Sequence, residues 1–440
     1  MQQDRGEVAV WRWLDGHINR ETGVGLAPGG SVQPAPTLGV IEQLLHTLGQ
    51  PQRRVPALLV AGTNGKTTTA RILAALLHGS GLRVGLYTSP HLRRPNERIA
   101  IGDTTITDAQ LAGVLHPLVE LERVHEARAS WFELMTAAAL GWFAQQLVDV
   151  AVVETGLGGA GDATAAVGAR VVVVTSVGVD HVEYFGSSRW ANAVAEAGVV
   201  PHGATVVLGE PDRAMHPPFL ARRPAVVLAA TRDFGVAADT PVANGRTVSL
   251  FTPAATYDAV FMGLLAPWHA ASAAAALAAA EAWLGTPVAD RAVRDVLAAV
   301  RSPGRFELVY CPRPVVVDGA HNATAAAALA GALRERFPGG SRTVVVGMTG
   351  ARDPLAFLLA LGVGPADRVV CTWPDTPRAM PPGAVASAAH ALGARSVVIH
   401  ANVGDAVRWA VGQADDTLTV VTGSLYVVGE ALPVARSLAI

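Results

Sequence analysis

Lys66 follows a glycine and precedes three threonines in Gly62-Thr63-Asn64-Gly65-Lys66-Thr67-Thr68-Thr69, where an apolar run meets an Ala/Leu-rich segment. Glycines let backbone N–H groups approach an anion, and an opening helix adds the partial positive charge of its N-terminus. A lysine in this place reaches the β/γ-phosphates, and a threonine hydroxyl reaches Mg²⁺ or phosphate. The chemistry is triphosphate binding, with Gly62, Thr63, Asn64, Gly65, Lys66, Thr67 and Thr68 as the cradle. The loop is shorter than the common phosphate-loop pattern, which wants a glycine where Val60 stands. A chance lysine in an ordinary strand–turn–helix is the competing reading. The ordered arrival of strand, turn, lysine, hydroxyl and helix argues against it.

Further polar clusters stand at the ends of apolar runs, where α/β folds build their sites. They are Thr88-Ser89-Pro90-His91, Glu154-Thr155-Gly156-Leu157-Gly158-Gly159, Gly178-Val179-Asp180-His181 and Asp318-Gly319-Ala320-His321-Asn322. Singly, each has a structural explanation. Glu154 could be a satisfied strand-end group, His181 a core histidine, and Ser89 before a proline the start of a turn. Together, Ser89, Glu154 and His181 beside a phosphate loop form a candidate Mg²⁺ set. His181 is its unusual member, because Mg²⁺ prefers hard oxygen ligands.

The elements that must position these groups alternate. Strands are predicted at Leu58–Val60, Val84–Tyr87, Val148–Val153, Val171–Thr175 and Thr205–Leu208, then at Val315–Val317, Thr343–Val346, Arg368–Thr372, Ser396–Ile399 and Leu418–Val421. Helices are predicted at Thr68–His78, Asp108–Leu121, Phe132–Gln146 and Ala323–Arg336. Such alternation implies an α/β protein with parallel sheets covered on both faces. The rhythm breaks over Ala225–Met262, where a small antiparallel patch is expected. The helix-breaking Arg301-Ser302-Pro303-Gly304-Arg305 marks the expected boundary between a P-loop ATP-binding domain (1–300) and a smaller Rossmann-like domain (301–440).

Bulk properties narrow the function. A chain of 440 residues is too long for one core. With 34 Lys+Arg against 36 Asp+Glu, the net charge of −2 gives no electrostatic case for nucleic acid or an anionic membrane. Two cysteines, Cys311 and Cys371, are too few for a disulfide framework and favour a reducing compartment. The polar start, Met1–Glu7, lacks a signal sequence. The Ala-rich stretch from Ala270 to Leu284 carries Glu281 and reads as a packed helix rather than a membrane span. A cytoplasmic protein is expected.

The ordered motifs resemble the folylpolyglutamate synthase/dihydrofolate synthase family of the Mur ligase superfamily. They are G-T-N-G-K-T, Y-T-S-P-H-L, N-E-R-I, F-E-L-M-T, V-E-T-G-L-G-G, D-A-T, G-V-D-H-V-E-Y-F-G, P-G-R-F-E, D-G-A-H-N and T-G-S-L-Y-V-V-G-E, and they run from about residue 58 to 430. The resemblance implies ATP-dependent amide formation through an acyl phosphate, with glutamate joined to a folate or dihydropteroate acceptor. It implies ATP and Mg²⁺ as cofactors and two small-molecule substrates, a folate-like acid and an amino acid. It also implies a monomer and a catalytic step gated by domain closure. It makes Ser89, Glu154 and His181 metal ligands and brings Arg305, Asp318 and His321 to the nucleotide. Lys66, Glu154, His181 and Arg305 are then the catalytic candidates.

The chain departs from the family in specific places. Glu196 stands where relatives carry a lysine whose carbamate serves the second metal, so it is either a shorter ligand or a solvated helix residue. Ala160 and Ala165 replace a common Arg and Asn, Ser272 replaces an Asn near the adenine, and Ala351-Arg352-Asp353 replaces D-K-D. Phosphate-side groups persist while acceptor-side groups drift. An amide ligase of specialised metabolism, using a non-folate acid or another amine, is therefore one alternative. A non-catalytic nucleotide-binding relative is another, from a different class.

Overall fold

The computed structural model describes residues 10–22, 37–124, 129–180, 182–350, 352–413 and 418–439. The polar start at Met1–Glu7, His181 and Ala351 lie outside the described residues. The chain divides into two compact units. One comprises Met1–His91, Pro95–Leu264 and Trp268–Arg301, and the other Leu92–Arg94, Leu265–Pro267 and Ser302–Ile440.

The first unit is built on an eight-stranded sheet. Its strands are β1 (Ala57–Ala61), β2 (Val84–Tyr87), β3 (Ile99–Ile101), β4 (Thr104–Thr105), β5 (Val150–Glu154), β6 (Val171–Val174), β7 (Thr205–Leu208) and β8 (Val226–Ala229), in the order β4-β3-β2-β5-β1-β6-β7-β8. The pairs from β2 to β8 are parallel, and β3 and β4 form an antiparallel edge. The parallel strands are continuous apolar runs because both faces are covered; every residue of β1, β5 and β6 is buried. Glu154 is itself the last residue of β5 and pairs with Val60, so the carboxylate arrives at the edge from which the glycine loop leaves β1.

Two findings adjust the predicted elements, and the Ala-rich segment is the packed helix expected. Val226–Ala229 is a parallel strand of the main sheet and not part of the antiparallel patch; only β9 (Gly235–Val242), β10 (Gly245–Phe251) and β11 (Thr256–Met262) form that patch. Val226 is half exposed at the sheet edge, although Val226–Ala229 is as apolar in sequence as the strands beside it. The sheets are also not wholly parallel, because β3, β4 and β12 (Glu307–Tyr310) are antiparallel. The helix Trp268–Leu284 is buried along most of its length, and its alanines allow close packing on the helix Lys66–Gly79.

The second unit holds a six-stranded sheet. Its other strands are β13 (Pro314–Val317), β14 (Arg342–Val346), β15 (Arg368–Cys371), β16 (Ser396–Ile399) and β17 (Leu418–Thr422), ordered β12-β13-β17-β14-β15-β16. All pairs but β12–β13 are parallel. Asp318 leaves the end of β13, and the Gly423-Ser424 turn leaves the end of β17. Ser424 caps the final helix by accepting from Val427 N at 3.2 Å.

Candidate active site

The phosphate loop is tied down before any ligand enters. Thr63 N donates to Ser176 O (2.8 Å), Asn64 N to Ser176 Oγ (3.1 Å), and Thr175 Oγ1 to Asn64 O (2.7 Å). Thr63 Oγ1 accepts from Gly178 N at 2.8 Å. Gly62 has φ +118° and lies against Thr175, so a side chain there meets both strain and a collision. Gly65, at φ +87°, is the N-cap of the helix Lys66–Gly79 and supplies no side-chain cap. The N–H groups of the first helical turn point out of the helix at the loop, the arrangement that attracts phosphate.

Lys66 Nζ donates to Gly62 O (2.7 Å) and Thr63 O (3.2 Å), so the ammonium curls over its own loop. Thr67 Oγ1 donates to Glu154 Oε1 at 2.9 Å, and Ser89 N donates to Glu154 Oε2 at 3.1 Å. Glu154 is 1 % exposed. Ser89 is also buried, in a turn whose Ser89–Pro90 peptide is cis. The structure thus brings Lys66, Thr67, Ser89 and Glu154 together. Thr68 is buried at the same helix start. His181, the third member of the expected metal set, lies outside the described residues.

Glu196 is not the solvated helix residue that one expectation allowed. It is 5 % exposed on the helix Arg189–Ala197. Its Oε2 accepts from Gly62 N at 3.3 Å. Gly158, at φ +85°, makes room for it: a Cβ there would stand 2.7 Å from the same oxygen. Burial raises the Glu196 carboxyl to a pKa of about 7, with Lys66 and the Gly62 N–H opposing and Asp162 and Asp180 adding to the rise. Two carboxylates thus meet the loop, Glu154 at Thr67 and Glu196 at Gly62.

The changed positions can also be placed. Ser272 is buried, its Oγ on the Gly65 side of the loop. Ala160 lies against Gly198, where a Cβ would come within 2.5 Å of the Ala160 nitrogen. Ala165 lies in the short 3₁₀ turn Ala163–Val167. Arg352 Nη1 donates to Thr349 O and Oγ1, each at 3.0 Å.

In the second unit, Asp318 accepts from Phe306 N (2.7 Å) and Ala320 N (2.8 Å). Burial raises its pKa, and Arg305 is the largest influence in the other direction. Arg305 lies over Gly319, where a Cβ would stand 2.8 Å from Nη1. His321 Nδ1 lies 2.8 Å from Gly319 O, so it carries the proton. Arg305, Asp318 and His321 therefore form one cluster.

Some motif residues do structural work. Glu133 of F-E-L-M-T forms a capping box with Ser130, its Oε2 accepting from Ser130 N at 2.7 Å. Asn96 of N-E-R-I donates to Ile106 O (2.9 Å) and Asp108 Oδ1 (2.8 Å). Sequence reasoning missed Glu21, and it gave His91 and Arg98 no role beyond their motifs. Arg98 is 1 % exposed, ion-paired with Glu21 and stacked on the Trp131 ring at 4.5 Å. Burial, with the Arg98 charge acting in the same direction, lowers the His91 pKa to about 3. The signal lay in an arginine leading directly into the apolar run Ile99–Ile101, but its partner sits 77 residues away.

Known proteins match this arrangement. Residues 60–196 match the Mur ligase middle domain, and 304–425 match the Mur ligase glutamate ligase domain. The dihydrofolate synthase/folylpolyglutamate synthase of Mycobacterium tuberculosis is 35 % identical over 436 residues, covering 90 % of this chain and 89 % of that protein. The structure of M. tuberculosis folylpolyglutamate synthase complexed with ADP and AMPPCP superposes with a TM-score of 0.88 at 32 % identity, over 98 % of this chain and 99 % of the other. The bifunctional Yersinia pestis enzyme complexed with AMPPNP and a Mn ion gives 0.82 at 29 % identity, over 97 % of each chain. The chain belongs to the folylpolyglutamate synthase/dihydrofolate synthase family of Mur-type ligases.

Proposed function

We propose that this ligase uses ATP to join glutamate to a folate-type carboxylic acid. A carboxylate oxygen of the acceptor attacks the γ-phosphorus, ADP leaves, and the glutamate amine displaces phosphate from the acyl phosphate. The observation that carries this reading is the Lys66–Thr67–Glu154–Ser89 set at the head of the helix Lys66–Gly79. A buried carboxylate sharing a hydroxyl's proton beside a phosphate loop suits a divalent cation and its bound phosphates. The relatives do not favour the non-folate ligase or the non-catalytic alternative.

The donor set fits Mg²⁺. Hydroxyl oxygens of Thr67 and Ser89 and the Glu154 carboxylate are hard ligands, and Ser89 and Glu154 are nearly dry. Bound there, Mg²⁺ would offset negative charge on the transferring phosphoryl oxygens. We assign His181 to the same set and Glu196 to the Gly62 side of it. Lys66 exchanges the Gly62 and Thr63 carbonyls for phosphate oxygens, and the first-turn N–H groups hold the phosphates in line. We assign Arg305, Asp318 and His321 to nucleotide binding. The proposed setting is the cytoplasm, as a monomer with free, buried Cys311 and Cys371. Among the described residues no helix is long and apolar enough to cross a membrane.

The test is product mass. Incubation with ATP, Mg²⁺, glutamate and either dihydropteroate or tetrahydrofolate should yield an acceptor heavier by one glutamyl group, with ADP formed in step. ADP formation indifferent to the acceptor, with no glutamyl product, would contradict the reading.

A further inference from the structure

We propose that Arg98, braced by Glu21, is a positioning residue that holds the Thr88–His91 turn so that Ser89 meets Glu154. The inference rests on the functional reading above and concerns residues not yet given a role in it.

A guanidinium taken out of water costs several kcal/mol unless it is paired. Here every face of it is used. Glu21 takes both terminal nitrogens, Nη1 at 3.0 Å, in a forked pair. Trp131 lies under the carbon. The remaining Nε donates to His91 Nδ1 at 2.9 Å. Arginine is always protonated, so His91 Nδ1 must accept, and the imidazole carries its proton on Nε2. Ring orientation and tautomer are thereby fixed together.

The same residue grips the other end of the turn. Its carbonyl accepts from Thr88 N at 2.9 Å, next to the antiparallel pair Tyr87–Ile99. Thr88 and His91 are therefore both tied to Arg98, one by backbone and one by side chain. Between them, Ser89 donates to Glu154 Oε2, while Oε1 takes the Thr67 hydroxyl. An unbroken set of contacts runs from Glu21 through Arg98 and the turn to the phosphate loop. A buried ion pair serving stability alone could be exchanged for apolar side chains without loss. This pair also carries the bond to His91, which apolar side chains cannot replace.

That difference supplies the test. The double variant Glu21→Met/Arg98→Met removes the pair and keeps the volume. Mn²⁺ binding to the AMPPNP complex, AMPPNP binding in EDTA and thermal unfolding are measured for wild type and variant. We expect Mn²⁺ affinity to fall about tenfold or more, with AMPPNP affinity in EDTA within twofold of wild type. If the double variant does not fold, Arg98→Lys takes its place: it retains the charge but lacks the fork and Nε. Mn²⁺ affinity within twofold of wild type in a folded variant would overturn the inference while leaving the functional reading standing. Wild-type AMPPNP complex that binds no Mn²⁺ would overturn both.

Discussion

Glu154 and Glu196 reach the same loop from its two ends, and they are held differently. Glu154 ends a central strand and accepts from Thr67 Oγ1 at 2.9 Å and Ser89 N at 3.1 Å. Glu196 comes from a helix and accepts one longer bond, 3.3 Å from Gly62 N. Both are almost fully buried. A buried carboxylate stays ionised when donors replace the water it loses, and its pKa climbs when they do not. Glu196, with one long bond and Asp162 and Asp180 in its field, rises to about 7 despite Lys66. The phosphate-side carboxylate is built into the sheet, whereas the other depends on what arrives in the loop.

The largest effect should come from the cation of the loop itself. Lys66→Ala is expected to lower kcat by at least about 10³-fold, since it deletes preorganised charge at the transferring phosphoryl group. The lost bonds to Gly62 and Thr63 carbonyls should cost only about 1 kcal/mol each. Steady-state rates beside a melting curve check both, and near-wild-type turnover would break the assignment.

Glu154→Gln should come next. It retains an acceptor for Thr67 but removes the carboxylate charge, so the Mg²⁺ concentration for half-maximal activity should rise at least about tenfold. An unchanged Mg²⁺ titration would remove Glu154 from the metal set.

Glu196→Gln should instead appear as a pH effect on stability. The folded-state pKa of about 7 lies above the ordinary 4.5, so ionisation is disfavoured in the folded chain. Below about pH 4.5 the group is protonated in both states and costs nothing. As pH rises towards 7 and beyond, the wild type loses stability relative to the variant, by at most about 3 kcal/mol. Denaturant midpoints at pH 5 and pH 8 without Mg²⁺ should diverge at the higher pH. A pH-independent difference would sink the contrast with Glu154.

The smallest effect tests the cradle. Gly158→Ala places a Cβ against Glu196 at a φ that L-residues rarely adopt, and should cost roughly 1–3 kcal/mol. Repeating it in a Glu196→Ala background should recover at least about 0.5 kcal/mol as coupling. Strict additivity would mean that the two side chains do not share the space.

The phosphate side was legible because its elements announce themselves. β1, β2, β6 and β7 are apolar runs followed at once by Gly or Thr, and β5 ends in Glu154; buried parallel strands are written that way. Lys66, Ser89 and Glu154 could therefore be placed at strand ends from order alone. What stayed hidden depends on tertiary contact. Nothing in Ala195-Glu196-Ala197 distinguishes a solvated glutamate from one packed on Gly158. Glu21 sits in a polar stretch with no motif, and its bond to Arg98 exists only after the N-terminal segment folds onto the sheet. Val226 was misplaced because the apolar run Val226–Ala229 does not say which sheet an edge strand joins; that is decided by its pairing with β7.

The central claim is that the loop drives phosphoryl transfer to an acceptor carboxylate. The most direct measurement uses acceptor labelled with ¹⁸O in that carboxylate, with ATP, Mg²⁺ and glutamate, and reads the mass of the phosphate released. The account predicts one ¹⁸O in each phosphate, because the attacking carboxylate oxygen stays on phosphorus when the amine displaces it. Unlabelled phosphate accompanying glutamyl product would contradict it.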